Sequence, residues 1–324
     1  MRIAVVGLGA VGTRAARQLT STPAVETVVV CDPKADRVAE VVSSLGAKAV
    51  AHDAGAGLPE ADVVVVATPS VHQPALAREI VSRGSSVVCT ADSVSATRAL
   101  LDLGPEAEAR SITVAVGSGF APGMSCVLAR FAAEQLDTVD EIHVARLGTG
   151  GPACARQHHD ALAGEAIDWR DGGWQHRPAG SGRELCWFPD PIGAADCYRA
   201  ELPDAFLLVP SFPGVGRVTA RLAATRRDRL TARLPMIRKP HPEGGLGALR
   251  VEVRGRGKHG IDVQVLGAMD RPGVAGGAVT ALTAVEIASG RALRTGAWGL
   301  AGLLEPRRFL AELADRGVKA ARFG

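Results

Sequence analysis

The sequence predicts an α/β protein: a Rossmann-type doubly wound parallel sheet, followed by an α+β domain with a largely antiparallel sheet. Three observations predict it. The chain opens on a short apolar run, then Gly7-Leu8-Gly9-Ala10-Val11-Gly12, then a helical stretch. Valine-rich runs alternate with amphipathic helical segments as far as residue 116, the pattern of parallel strands crossed by helices. From residue 139 onward the runs alternate apolar with polar residues, as strands do when one face lies off the core.

Residues 2–6 read as the first buried strand and the stretch through Leu19 as the first helix. Between them each glycine has a physical task. Gly7 permits the tight turn, Gly9 lets the backbone approach a pyrophosphate, and Gly12 lets helix and strand pack closely. The helix N-terminus offers free N–H groups to phosphate. Ala10 and Val11 complete the loop. A second strand, 26–31, ends at Asp32, where a carboxylate can accept from both ribose hydroxyls of an adenosine. That carboxylate disfavours a 2′-phosphate, so NAD is expected; Lys34 and Arg37 keep NADP open.

Strands follow at 62–67, 85–89 and 111–116, with helices through Ile80 and Leu103. Ligands bind outside the carboxyl ends of such strands. Thr68, Pro69, Ser70, Thr90, Gly119, Phe120 and Pro122 are therefore expected to line the nicotinamide end of the cofactor site. The turn "GSGFAPGMSCVLAR" at 117–130 carries the chain into its second half. The organisation expected is a dinucleotide-binding domain at 1–121, a substrate-binding and dimerisation domain at 122–274, and helices at 275–324 packing back on the first.

In the second half, a helix is expected at 123–136 and strands at 139–147, 185–188, 194–198 and 217–223. Residues 249–254 and 261–266 read as a hairpin, and helices are expected at 275–289 and 306–316. The glycines at 255, 257 and 260 imitate the first loop, but alternating strands flank them and no helix follows, so they read as the hairpin turn. Arg217, Arg221, Arg250, Glu252 and Arg254 form a polar sheet face, open to solvent, a partner subunit or an acidic substrate.

Ionisable groups are dense between 154 and 187: Cys154, Arg156, His158, His159, Asp160, Asp168, Arg170, His176 and Arg183, with Trp169, Trp174 and Trp187 among them. A dehydrogenase needs a proton acceptor near neutrality, which imidazole supplies, and a cation for any substrate carboxylate. His158 or His159 is expected to exchange the proton, only one of them entering the site because neighbours on a helix point about 100° apart. Arg156 is expected to hold the carboxylate. His143 and His241 read as structural.

Composition bounds the rest. The 324 residues suit about two domains, and 47% hydrophobic content supports a packed core. Aromatics are 4%, the net charge is +3, and no run of five or six like charges occurs, so nucleic acid is not an expected partner. No run of about 18 apolar residues suggests a membrane span; a cytoplasmic location is expected. The six cysteines, at 31, 89, 126, 154, 186 and 197, contain no CxxC pair. They read as reduced thiols, and no metal site is expected.

The chain resembles the saccharopine dehydrogenase and lysine 6-dehydrogenase-like oxidoreductases. The resemblance rests on GLGAVG, on Asp32-Pro33, on "GFAPGMSCVLA", on "FPDPIG" at 188–193 and on "GLLEPRRFLAELADRGV" at 302–318. It implies an NAD(P)-linked reaction at a carbon–nitrogen bond of an amino acid or imine, in a bilobed subunit that is often dimeric through the second sheet. The expected partners are thus an amino-acid-like small molecule and a second copy of the chain. The sugar-oxidising Gfo/Idh/MocA relatives place Lys-Pro after the strand corresponding to 85–89; Thr90-Ala91-Asp92 stands there instead, which argues against sugar oxidation. Two alternatives stay open: a dehydrogenase for a hydroxyl group, and a dinucleotide-sensing protein without catalysis.

Overall fold

A computed structural model describes residues 1–236, 239–258 and 260–323. The first half runs β1 (Arg2–Val6), α1 (Ala10–Thr20), β2 (Thr27–Cys31), α2 (Ala35–Leu45), β3 (Ala49–His52), β4 (Val63–Val66), α3 (Gln73–Ser82), β5 (Ser86–Cys89), α4 (Val94–Leu101), α5 (Gly104–Ala109) and β6 (Thr113–Val116). Its valine runs are buried throughout, because crossover helices cover both faces of a parallel sheet. β1 has β2 on one side and β4 on the other, all parallel. Strand order therefore reverses at β1–β4, which opens a crevice at the carboxyl ends of these two strands. The last of these strands begins at Thr113, two residues later than the sequence suggests. Ser111 has a φ of 55° and closes the turn after α5, its N–H donating to the Glu108 carbonyl.

The second half runs α6 (Met124–Ala133), β7 (Thr138–Leu147), α7 (Pro152–Ala161), β8 (Glu165–Arg170), β9 (Gly173–Pro178), β10 (Glu184–Phe188), β11 (Gly193–Arg199), α8 (Asp204–Leu208), β12 (Arg217–Ala223), α9 (Arg226–Thr231), β13 (Gly247–Gly257) and β14 (Gly260–Asp270). β7 pairs parallel with β12 and antiparallel with β13; β13–β14, β10–β11 and β11–β12 are antiparallel. Ile142, Val144, Val218, Leu249, Val251 and Val253 pack with Met124, Val127 and Leu128 of α6 in a core continuous with that of the first sheet. On the other face the polar residues pair among themselves: Arg250 with Glu252 at 2.6 Å, and Arg254 with the same carboxylate. Gly257 pairs with Gly260 at the end of the β13–β14 hairpin, so these glycines form no nucleotide loop; His259 lies outside the described residues.

The tail comprises α10 (Pro272–Ala288), β15 (Gly296–Gly299), α11 (Leu300–Leu303), α12 (Pro306–Asp315) and β16 (Ala320–Arg322). Pro272 opens α10 three residues earlier than expected, in a position where its missing N–H costs nothing. α10 lies tightly on α1; a Cβ on Gly277 would come 2.5 Å from that of Arg14. The tail then divides. β15 adds a seventh strand to the first sheet beside β6, and β16 crosses to the second sheet beside β14. No helix among the described residues is long and apolar enough to cross a membrane.

Candidate active site

The loop from β1 to α1 is built as its glycines require. Gly7 has a φ of 95°, and a Cβ there would stand 2.8 Å from the Ala67 backbone at the end of β4. A Cβ on Gly12 would run into the Gly7 carbonyl oxygen, so helix and loop approach only because this side chain is absent. Around a Cβ on Gly9 there is open space to 4 Å. That space belongs to a groove of about 1450 Å³, lined by Gly7, Gly9, Ala10, Asp32, Thr68 and Pro69 among others. Asp32 closes its far wall. The carboxylate accepts from the Leu8 N–H at 2.9 Å and the Lys34 N–H at 3.0 Å, which fixes its orientation, and Arg37 stands 3.9 Å away.

The groove leads into a crevice of about 350 Å³ between the two sheets. Its floor is the turn after β6. Gly123, with a φ of 128°, permits the chain to fold back so that the Gly119 N–H donates to the Pro122 carbonyl at 3.0 Å; the Ala121–Pro122 peptide is cis. Its roof is β7 and α7. Arg146, 2% exposed, ends the apolar face of β7, ion-paired to the fully buried Asp204 and donating to the Ala121 carbonyl. This pair ties the floor of the crevice to its roof.

Opposite Arg146 lies a compact cluster. Asp92 follows β5, and Cys154 and His158 lie four apart on α7, hence on one face. One ligand-capable atom from each lies within 4.8 Å of the others. The Cys154 Sγ is 3.6 Å from His158 Nε2, and the Ser70 hydroxyl donates to Asp92 Oδ1 at 2.7 Å. Burial pushes the Asp92 carboxyl above its usual range, against the opposing pull of the Ser70 hydrogen bond. Burial likewise raises the Cys154 thiol and, with the Arg146 charge, lowers His158 to about 3. Burial thus works against charge on all three side chains, and the neutral His158 ring offers a lone pair.

Residues 1–116 match the oxidoreductase family with an NAD-binding Rossmann fold, the Gfo/Idh/MocA family. The whole chain resembles saccharopine dehydrogenase (L-Glu forming) from Saccharomyces cerevisiae, at 15% identity and a TM-score of 0.70, covering 100% of both chains. It is also similar to an amine dehydrogenase from Mycobacterium smegmatis, at 12% identity and a TM-score of 0.56 over 95% of this chain and 97% of that one. GenD2 from gentamicin A biosynthesis, solved in complex with NAD, is 18% identical with a TM-score of 0.50 over 100% of this chain and 96% of that one. The fold is that of an NAD-binding oxidoreductase.

The residues present fit NAD. The open space at Gly9 is what a pyrophosphate would need, and the Asp32 carboxylate lines the same groove, where it could accept from ribose hydroxyls. At the nicotinamide end two buried polar atoms, Thr68 Oγ1 and Gln73 Oε1, have no partner among the described residues. Gln73 already donates to the Thr68 carbonyl at 2.7 Å and to Thr90 Oγ1 at 3.1 Å, so its free oxygen is held in place as an acceptor that a nicotinamide carboxamide could use. Val11, Ser70, Thr90, Gly119, Phe120 and Pro122 all line the crevice.

The dense stretch of ionisable residues divides in space. Cys154, Arg156, His158 and Asp160 face the crevice. His159 does not: its Nε2 meets the Leu234 carbonyl at 2.8 Å on the other side of α7, the result of the helical rotation between neighbours. Arg156 is exposed at the mouth, where crevice and groove join. Asp168 and His176 leave on the β8–β9 hairpin, pairing with Arg221 and Glu165. Three residues escaped the sequence reading. Asp92 lies in the ligand-facing strand-end segment 90–92, where it marks the place of a missing lysine but carries no assigned role, and Arg146 is only one residue of a strand. Cys154 stands in the dense ionisable stretch without an assigned role, although the Cys-x3-His spacing on a helix pairs it with His158.

Proposed function

We propose that the protein is an NAD-dependent dehydrogenase that moves a hydride at a carbon–nitrogen bond of an amino acid or its derived imine. The observation that carries this reading is the junction of the dinucleotide groove with a crevice that holds a buried arginine and the Asp92–Cys154–His158 cluster. Arg156 at the mouth holds the substrate carboxylate, for which a guanidinium is the matching partner. In the oxidative direction the carbon–hydrogen pair leaves as hydride to the nicotinamide and the nitrogen lone pair forms the new double bond. The nitrogen's proton leaves to solvent through the mouth of the crevice, where Arg156 is exposed. His158, lowered to about 3, is a weaker base than an ordinary imidazole, so it orients the nitrogen by its lone pair rather than storing the proton. Resemblance to saccharopine and amine dehydrogenases supports the choice of a carbon–nitrogen bond over a hydroxyl group.

The test is a panel of L-amino acids, their oxo acids with ammonia, and the matching hydroxy acids, each with NAD or NADH and read by nicotinamide absorbance. Turnover confined to the amino and imino series supports the reading; turnover of hydroxy acids alone overturns it. We further propose a homodimer closed through the open face of the second sheet, where Ile261 is 88% exposed beside the paired charges. Light scattering showing a monomer overturns that part.

A further inference from the structure

We propose that Asp92, Cys154 and His158 hold one divalent transition-metal ion, zinc in the first instance, with its fourth position open to the crevice. The inference deepens the reading above, because the open position would face the substrate's donor atom.

The geometry supports it in four ways. First, zinc bonds of about 2.3 Å to sulfur and about 2.0–2.1 Å to nitrogen, at a tetrahedral angle, place those two atoms about 3.6 Å apart. The Cys154 Sγ and His158 Nε2 are 3.6 Å apart, and the Asp92 carboxylate completes a triangle within 4.8 Å. Second, the ligands stand on rigid supports. Cys154 and His158 share one face of α7, and Asp92 follows β5 with one oxygen fixed by Ser70 at 2.7 Å, the outer-shell contact that orients a ligating carboxylate. Third, His158 is 7% exposed, and its Nε2 meets only the Cys154 sulfur, at 3.6 Å, among the described residues. Protein alone gives this buried ring only a sulfur contact; coordination would replace it with a bond. Fourth, the charges balance. Thiolate and carboxylate together match a dication, while the nearby Arg146 is already neutralised by Asp204. Three protein ligands of S, N and O type with one open position form the pattern of a catalytic rather than a structural zinc, and the thiolate disfavours magnesium and calcium.

The experiment uses untagged full-length protein, dialysed against chelator and titrated with Co²⁺. One equivalent should bind with a near-ultraviolet thiolate-to-cobalt charge-transfer band and the visible bands of tetrahedral cobalt. Cys154→Ser should abolish the charge-transfer band, and His158→Gln should weaken cobalt binding by at least about tenfold; the NAD-induced melting shift reports that both variants are folded. Wild-type protein that takes up no stoichiometric cobalt, or a thiolate band that persists in Cys154→Ser, overturns the proposal. The two readings separate cleanly. Protein that binds no cobalt but turns over amino acids refutes the metal and keeps the dehydrogenase. Protein that binds cobalt through Cys154 but turns over no amino acid or imine keeps the site and refutes the reaction.

Discussion

Replacing His158 by glutamine in metal-free protein should flatten the acid side of the stability profile, by an amount the structure sets. In the folded protein burial lowers this imidazole to about 3, from a usual 6.5. The unfolded chain binds the proton below about pH 6.5 and the native protein does not until about pH 3, so acidification across that window favours unfolding. The stabilisation is fully present above the unfolded value and is lost as the pH falls towards the folded one. Between about pH 7 and pH 4 the linkage amounts to about 3 kcal/mol, approaching 1.4 kcal/mol for each pH unit near the middle. That is a large part of an ordinary domain's stability of about 5–15 kcal/mol. Asp92, shifted the opposite way by burial, contributes with opposite sign, but it is present in both proteins and cancels in the difference to first order. Urea unfolding of the wild type and His158→Gln at several pH values in this window gives the two slopes. The wild type should lose about 3 kcal/mol more than the variant on going from pH 7 to pH 4. Parallel profiles would refute the reasoning, because they would mean that the native crevice accepts the imidazolium.

Other substitutions probe other links. Gly9→Ala places a methyl group in open space, so stability should change by less than about 0.5 kcal/mol while NAD affinity falls at least about tenfold; thermal melts with and without NAD separate the two effects. Asp32→Ala should shrink the NAD-induced melting shift, and an unchanged shift would remove the ribose role. Asp204→Asn leaves Arg146 buried without its counter-charge and should cost about 3–5 kcal/mol in denaturant unfolding. Arg156→Met, at an exposed position, should leave stability within about 0.5 kcal/mol and raise KM for carboxylate-bearing substrates.

The first sheet was largely legible because strands buried on both faces must be almost wholly apolar, and "VVVV" at 63–66 admits little else. β15 was not. It is Gly-Ala-Trp-Gly, without an apolar run, and it is a strand only because β6 offers an unpaired edge. β3 and the β8–β9 hairpin were missed for a related reason: they sit at margins where burial imposes no clear period. The glycine loop and Asp32 could be read directly, since local backbone geometry dictates those residue types. The Asp92–Cys154–His158 cluster could not. Its members come from the turn after β5 and from α7, and only the closing of one sheet on the other brings them together. Arg146 was hidden by periodicity itself, a charge on the face that Ile142 and Val144 mark as core.

The proposed reaction requires the nicotinamide ring to reach that cluster. The most direct measurement is a crystal structure of the protein with NAD bound. It should show the pyrophosphate over Gly9, the adenosine ribose on Asp32, and the nicotinamide on the Gly119–Pro122 turn, with its carboxamide at Thr68 and Gln73 and its reactive face towards Asp92, Cys154 and His158. A dinucleotide lying elsewhere, or a ring turned away from those three side chains, would contradict it.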